Sequence, residues 1–250
     1  MTKSNTKKKV TLKTQNAIAG YLLVSPILIG ILLFTVIPVI FSLYISFTDW
    51  NMLHDYNWVG LKNYVDVLGS KMLKTVSSNT LVYCVIAIPG SIIVGLLLAL
   101  ALNSSIKGKA FYRSAFFLPN ITTTVAVAIV WTWLYNDSYG LINALLNSLG
   151  LPSVKWISSR AWAMPSVAIM SIWQAMGYDM IILTAGLKNI DPTYYEAAKI
   201  DGANGFSAFR KITLPLLSPT LFFLIVTHFI GYMQMFDAAY IMTKGGPGHA

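Results

Sequence analysis

Residues 196–215 read EAAKIDGANGFSAFRKITLP and lie between two apolar runs at residues 161–187 and 216–242. The stretch begins with an acid, Glu196, has a glycine at Gly202 and carries two basic residues near its end. Runs of about 20 apolar residues are long enough to cross a bilayer, so the charged stretch between them belongs at the membrane surface. The ordered placement of acid, glycine and bases predicts a structured docking element rather than a simple connector.

Apolar runs dominate the rest of the chain. Hydrophobic residues make up 56% of the 250 residues and charged residues 11%, which is far more apolar than a soluble domain. Five runs are long enough to span a membrane, at residues 17–48, 76–103, 114–136, 161–187 and 216–242. The predicted fold class is therefore all-α, a polytopic transmembrane helical bundle. The first run is too long for a cleavable signal peptide, so it predicts an uncleaved anchor that bends or tilts around Pro26 and Pro38.

The net charge of +9 first suggests a nucleic-acid partner, but its distribution along the chain indicates membrane topology instead. If the amino terminus is cytoplasmic, the inner segments hold 12 of the 18 Lys and Arg residues and the outer segments hold six. This bias follows the positive-inside rule. The sequence thus predicts a cytoplasmic basic tail at 1–16, a membrane domain at 17–250, a cytoplasmic loop at 188–215 and no nucleic-acid partner.

The loop has signals for two helices joined by a sharp turn. Asp191 and Pro192 suit a helix start, because aspartate caps free amides and proline fits the first turn. Gly202 can take the left-handed conformation that ends a helix, and Pro215 is expected to stop the second helix at the membrane surface. The alternative is an amphipathic helix that merely lies on headgroups, but it would favour more lysines and would not need this order of alanines and glycine.

The same residues resemble a known family. Glu196-Ala197-Ala198, Gly202 and the Ile212-x-Leu214-Pro215 ending resemble the coupling loop of binding-protein-dependent ABC importer permeases. Other stretches resemble its sugar-type branch, which includes maltose- and glycerol-3-phosphate-type permeases, at residues 58–64, 111–119, 140–143 and 243–248. The resemblance implies that the loop inserts into a separate ATPase subunit through Glu196, Ala197, Ala198, Asp201, Gly202, Arg210, Ile212, Leu214 and Pro215.

The resemblance also implies partners and a location. We expect a heterodimer with a second homologous permease, two ATPase copies that bind the ATP, and an extracytoplasmic solute-binding protein, in a bacterial cell membrane. The chain itself is expected to bind no cofactor and to have no ATPase site, since it lacks the G-x-x-x-x-G-K-[ST] phosphate-binding loop. The family's core has six spans, so we expect the sixth to be missing from a truncated sequence.

Polar side chains form stripes on three of the apolar runs. Helical spacing places Asn120 with Thr124 on the third run, and sets of four residues on one face of the fourth and of the fifth. These two sets are Ser171, Gln174, Ala175, Tyr178 and His228, Gly231, Tyr232, Met235. Hydroxyl, amide and aromatic groups suit a sugar, which needs hydrogen bonds and stacking, and the resemblance implies that these helices flank the solute pathway.

A second interpretation of the stripes is that they hold helices together, because Ser, Thr, Asn, Gln and His also bond neighbouring helices within membranes. The same choice applies to Ser91-x-x-x-Gly95, which either admits a close helix or faces lipid. Intramembrane acids usually face protein or water, so Asp179 is an interior candidate. Asp237 is either interior or at the outer interface.

Two other functions compete with the importer permease. A self-sufficient secondary transporter would use Asp179 and His228 as a proton relay, but it leaves the loop unexplained. A membrane-embedded hydrolase would need a catalytic set such as H-E-x-x-H or a nucleophile elbow, and the sequence contains neither. A metal site at His228 is not expected, because no second histidine or cysteine lies at ligand spacing.

Overall fold

A computed structural model describes residues 11–53, 55–104 and 106–247. Most of the basic tail, at 1–10, and the last three residues, 248–250, lie outside this described part. The described residues form helices and turns, with one isolated antiparallel bridge between Thr48 and Trp58. This confirms the all-α prediction. The chain forms two compact parts that meet in sequence after Leu73, and each is described by itself.

The first part opens with a long apolar helix. Helix α1 spans Leu12–Ile31 and continues through a π-helical stretch, Leu32–Val36, into α2 at Ile37–Ile45. Its apolar side chains are exposed. The wide π turn comes directly before Pro38, whose ring crowds the preceding turn and which has no N–H to donate. The expected irregularity near Pro38 therefore takes the form of a π stretch.

The segment after α2 folds back on the end of that helix. Helix α3 spans Lys62–Gly69, and the side-chain amide of Asn63 donates to the carbonyls of Ser46 and Thr48, at 3.0 and 2.8 Å. The Phe47 ring stacks on Trp58 with centroids 5.5 Å apart. These contacts fix the residues that follow the first apolar helix.

The second part contains all but the first turn of one long helix, followed by one bent pair. Helix α4 spans Lys71–Asn103, α5 spans Lys109–Ile121 and α6 spans Thr124–Leu134. Helices α5 and α6 meet at 98°. The span predicted at 114–136 is thus not one straight helix, because the chain turns sharply at Thr122 and Thr123.

A short helix covers the end of α6. Helix α7 spans Leu141–Ser148, and the buried Asn143 side chain makes four hydrogen bonds there. Its amide donates to the carbonyls of Asp137 and Val154, while its oxygen accepts from the Val154 N–H and the Trp156 indole. A buried amide with all four bonds made holds the loop around it in one arrangement.

Helix α8, at Ala163–Lys188, is the central helix of the second part and packs against α5 and α12. Its approach to α4 is close, since a side chain at Gly95 would collide with Asp179. A side chain at Gly177 would likewise collide with the backbone of Phe116 on α5. Ser91 is fully buried, so the Ser91-x-x-x-Gly95 pattern admits a close helix and does not face lipid.

The remaining helices form the predicted cytoplasmic loop and the last apolar run. Helices α9, α10 and α11 span Thr193–Ile200, Gly205–Ala208 and Leu214–Leu216, with a π-helical stretch at Phe209–Thr213. Helix α12 spans Ser218–Met233 and α13 spans Asp237–Thr243. The run at 216–242, predicted as one span, is thus interrupted at residues 234–236.

Among the described residues, three helices are long and apolar enough to cross a membrane. The number is up to five if each of the two bent pairs counts as one span. The second bent pair joins the segment Gly205–Leu216 to α12 at 62°. The predicted five spans correspond to the upper figure.

Candidate functional site: a polar cavity and a docking loop

A cavity of about 580 Å³ lies in the second part of the chain. Its walls come from Tyr83 of α4, the α5–α6 bend, the middle of α8, the C-terminal half of α12 and the start of α13. The volume falls within the roughly 300–1000 Å³ range of small-molecule sites. The cavity is therefore large enough for a small solute.

All ten residues that the sequence placed on polar stripes line this cavity. They are Asn120, Thr124, Ser171, Gln174, Ala175, Tyr178, His228, Gly231, Tyr232 and Met235. The structure brings together three stripes that are more than 40 residues apart in sequence, because the bend of α5–α6 and the interruption of α12 both open onto α8.

Eight further residues line the cavity and were not among the predicted set. They are Tyr83, Thr122, Thr123, Thr227, Gln234, Phe236, Asp237 and Ala238. Most of them lie at the two helix interruptions. The positions of these interruptions do not follow from the absence of charges in an apolar run. The polar sequence Asn120-Ile-Thr-Thr-Thr124 is the signal that could have located the first interruption.

Gln174 connects α8 to the α5–α6 bend. Its side-chain amide donates to the Thr122 carbonyl at 3.2 Å and lies 3.4 Å from the Thr124 hydroxyl. Irregular backbone at membrane depth is tolerated where neighbouring side chains bond it and where it borders a cavity. Interhelical bonding, the second interpretation of the stripes, therefore accounts for Gln174.

An acid–imidazole pair joins α8 to α12 beside the cavity. The His228 Nε2 atom lies 2.7 Å from Oδ1 of Asp179, whose side chain is fully buried. The second carboxyl oxygen of Asp179 has no hydrogen-bond partner among the described residues. Asp179 is thus interior, as predicted, and His228 both lines the cavity and bonds a neighbouring helix.

Three side chains separate this cavity from a second one. Tyr83, Tyr232 and Met235 line both the main cavity and a smaller cavity of about 210 Å³ between α4, α8 and α13. The two tyrosine rings meet edge to face with centroids 5.3 Å apart, and the His228 ring stacks on Tyr232 at 5.3 Å. The wall between the cavities therefore consists of two tyrosines and one methionine.

The loop between α8 and α12 starts with a well-capped helix. The Thr193 N–H donates to the Asp191 carboxyl at 2.9 Å, and this bond lowers the pKa of Asp191. At the other end of α9, the Ala203 N–H donates to the Ala198 carbonyl and the Gly202 N–H to the Lys199 carbonyl. This is the Schellman arrangement, and Gly202 occupies its left-handed position with φ of +76°.

The second half of the loop is fixed against the first. Asn204 caps α10 by accepting from the Ser207 N–H at 2.8 Å, and the Tyr195 hydroxyl lies 2.9 Å from the Thr213 hydroxyl. The helix does not stop at Pro215 as predicted. A π-helical stretch lets it pass that proline, and the turn comes at Leu217.

The loop exposes its predicted docking residues together with two large apolar ones. Most of the predicted residues are exposed, while Ala198 and Ile212 are half-buried. Ile200 is 87% exposed and Phe206 is 72% exposed, and neither was in the predicted set. Apolar side chains presented on a capped, charged loop are typical of a surface that binds another protein.

Comparison with known proteins identifies the family. Residues 91–248 match the family described as binding-protein-dependent transport system inner membrane component. The probable ABC transporter permease protein YesP of Bacillus subtilis is 39% identical over 245 residues, covering 97% of this chain and 78% of the relative. The trehalose/maltose transport system permease protein MalF of Thermococcus litoralis is 35% identical over 240 residues, covering 96% and 81%.

A solved structure shares the fold. A bacterial ABC transporter involved in the import of the acidic polysaccharide alginate contains a chain that superposes with a TM-score of 0.76 at 24% identity. The match covers 91% of this chain and 81% of that one. Family model, curated relatives and fold agree, and the chain therefore belongs to the inner-membrane components of binding-protein-dependent transport systems.

Proposed function

We propose that this chain is the permease subunit of an ATP-driven, binding-protein-dependent importer of a carbohydrate. The observation that carries the proposal is the convergence of the ten predicted stripe residues, seven of them polar or aromatic, on one cavity of about 580 Å³. The family membership gives the transport role, and the trehalose/maltose permease among its relatives supports a carbohydrate as the solute.

The chemistry of the cavity suits a sugar. Amide and hydroxyl groups such as Asn120 and Thr124 offer hydrogen bonds to sugar hydroxyls, and Tyr178 and Tyr232 offer ring faces for apolar sugar surfaces. A site that must release its solute again should hold it with several modest contacts rather than one strong one. The mixture of neutral groups fulfils that requirement.

The exposed loop is the proposed contact with the motor. Its capped helices form a stiff unit, and Ile200 and Phe206 offer apolar contact area beside Glu196 and Arg210. A separate ATPase subunit would receive this surface, bind the ATP and pull on the loop as it closes. Movement of the loop would reach the cavity through α8 and α12, which flank it in sequence.

The complete importer would contain two ATPase copies, a second homologous permease and an extracytoplasmic solute-binding protein. In this arrangement the chain carries no ATPase site of its own and spans a bacterial cell membrane several times. Its amino terminus and its docking loop lie on the cytoplasmic side, in line with the excess of Lys and Arg in those segments.

Removing one cavity side chain tests the solute role. Tyr178→Ala should lower the apparent affinity for the solute by roughly fivefold, because one hydrogen bond or ring contact contributes about 1 kcal/mol. Uptake by the complete importer in proteoliposomes measures this, and ATPase activity without solute should persist. Tyr139→Ala is the matched control, since Tyr139 is 66% exposed and lines neither cavity. Equal uptake by both variants would remove Tyr178 from the solute site.

A further inference from the structure

The smaller cavity, of about 210 Å³, follows the main cavity along two helices. On α8, residues between 163 and 167 line the smaller cavity, and residues between 171 and 178 line the main one. On α4, residues between 76 and 80 line the smaller cavity, and Tyr83, about one turn further on, lines both. The two cavities therefore lie in the same order along both helices, one behind the other.

The smaller cavity lies on the side away from the docking loop. Helix α8 leads from the smaller cavity past the main cavity to Lys188, and the loop that is proposed to contact the ATPase follows that residue. With this loop on the cytoplasmic side, a solute that arrives from outside would reach the smaller cavity before the main one.

The lining of the smaller cavity combines polar and apolar side chains. Besides the wall that it shares with the main cavity, its lining includes Val76, Asn79, Thr80, Met164, Val167 and Thr243. Amide and hydroxyl groups can bond sugar hydroxyls, and apolar side chains can pack on the face of a sugar ring. The volume lies below the roughly 300–1000 Å³ of sites for whole small molecules, so it suits a single sugar unit.

The wall between the cavities contains two hydroxyl groups that lack hydrogen-bond partners among the described residues. They belong to Tyr83, which is only 4% exposed, and to Tyr232. By contrast, the buried Tyr135 donates its hydroxyl to the Ser166 carbonyl at 3.2 Å. A buried polar group without a partner costs free energy, and a molecule that binds there in another state of the protein would supply the missing bond.

The contact that closes the wall between these two tyrosines is one of rings, not of hydroxyls. The Tyr83 and Tyr232 rings meet edge to face with centroids 5.3 Å apart. Moving the rings apart would therefore break no hydrogen bond of either hydroxyl. A sugar between them would bond both hydroxyls, so its binding would favour the open arrangement over the closed one.

We infer that the smaller cavity is a second carbohydrate subsite, which takes one sugar unit ahead of the main cavity, and that the two tyrosines part to let the solute through. The inference rests on the proposed function and deepens it, since it adds a subsite and a passage to the same solute path. Tyr83, which no polar stripe in the sequence included, becomes a solute contact of that path.

A cysteine in the smaller cavity tests whether solute occupies it. Cys84, the one cysteine of the chain, is first replaced by alanine. Thr80→Cys then places a thiol in the smaller cavity, and Ala144→Cys is the matched control, since Ala144 is exposed on α7 and lines neither cavity. The sample is the complete importer in proteoliposomes, labelled with a small thiol reagent during turnover with ATP.

The probe is whichever of maltose, trehalose and lactose the importer takes up fastest. At a concentration about four times its apparent affinity constant, the disaccharide should slow labelling of Thr80→Cys about fivefold and leave the control unchanged. Equal labelling of Thr80→Cys with and without the disaccharide would overturn the subsite.

Tyr83→Phe tests the passage between the cavities. It removes a hydroxyl that has no partner in the closed wall, so the thermal unfolding midpoint of the purified complex should not fall. Uptake at low disaccharide concentration should nevertheless fall about fivefold, because the passing solute loses a hydrogen bond. Tyr135→Phe is the matched control, which should lower the midpoint and leave uptake unchanged. Unchanged uptake by Tyr83→Phe would overturn the role of the wall.

The outcomes separate this inference from the proposed function. If the complete importer takes up a disaccharide but Thr80→Cys is not protected and Tyr83→Phe behaves normally, only the second subsite and the passage are wrong. If none of the three disaccharides is taken up, the proposed function fails and the inference fails with it.

Discussion

Gly202→Ala should cut uptake by the complete importer about tenfold while the permease still inserts into the membrane. Gly202 ends α9 with φ of +76°, and a non-glycine residue pays roughly 1–2 kcal/mol to hold that conformation. A cost of this size lowers the equilibrium constant for forming the native turn by about an order of magnitude. The docking loop would then present its two halves at the wrong angle to the ATPase. Uptake and ATPase co-purification measure the loss.

Gly205→Ala is the matched control for this prediction. An added methyl group meets no atom within 4 Å at either glycine, so the two variants differ in backbone conformation and not in crowding. Gly205 lies at the start of α10 without a positive φ, and its variant should keep normal uptake. Normal uptake by Gly202→Ala would remove the loop from the coupling route.

An Asn204→Cys variant tests on which side of the membrane the loop lies. An impermeant thiol reagent should label this cysteine only after the membrane is opened, and labelling in intact cells would contradict the cytoplasmic placement of the loop.

His228→Leu should destabilise the bundle by about 3–5 kcal/mol, the cost of leaving one partner of a buried pair alone. It removes the hydrogen bond from Oδ1 of Asp179, a carboxyl that already has one oxygen without a partner. Gly95, which lies directly against Asp179 on α4, has no side chain that could bond the carboxyl in place of the imidazole. The expected result is a lower thermal unfolding midpoint of the detergent-purified permease complex.

A second substitution at Asp179 distinguishes loss of the pair from loss of packing. His228→Leu combined with Asp179→Asn should regain at least about 1 kcal/mol, because the neutral amide removes the buried charge. If the double variant is as unstable as the sum of the two single variants, the two residues do not act as a pair. Their role in joining α8 to α12 would then be withdrawn.

The sequence predicted the cavity residues better than the helices that carry them. Ser171 and Tyr178 share a helix face because of their spacing, and so do His228 and Tyr232. Predicting these faces therefore required only that the residues be helical. The bend at Thr122 was not predicted, because the one local signal for it is the polar sequence at 120–124 within an otherwise apolar run. It depends on bonds such as the one from Gln174, which lies about 50 residues later in the chain.

The docking loop shows a similar division. Its turn was predictable from local signals, because the backbone conformation of Gly202 and the hydrogen bond from the Ser207 N–H to Asn204 involve only residues close in sequence. The exposure of Ile200 and Phe206 was not predicted, because an apolar residue in a helix is normally assigned to a core. Whether such a residue is buried depends on the tertiary arrangement, and in the described chain both side chains are exposed.

The buried Asp179–His228 pair is the feature that a proton-coupled transporter would use, and family membership argues for ATP as the energy source. Uptake into proteoliposomes that hold the complete importer separates the two most directly. The account predicts that ATP drives carbohydrate uptake with no ion gradient, and that a proton gradient without ATP drives none. Uptake that follows the proton gradient in the absence of ATP would contradict it.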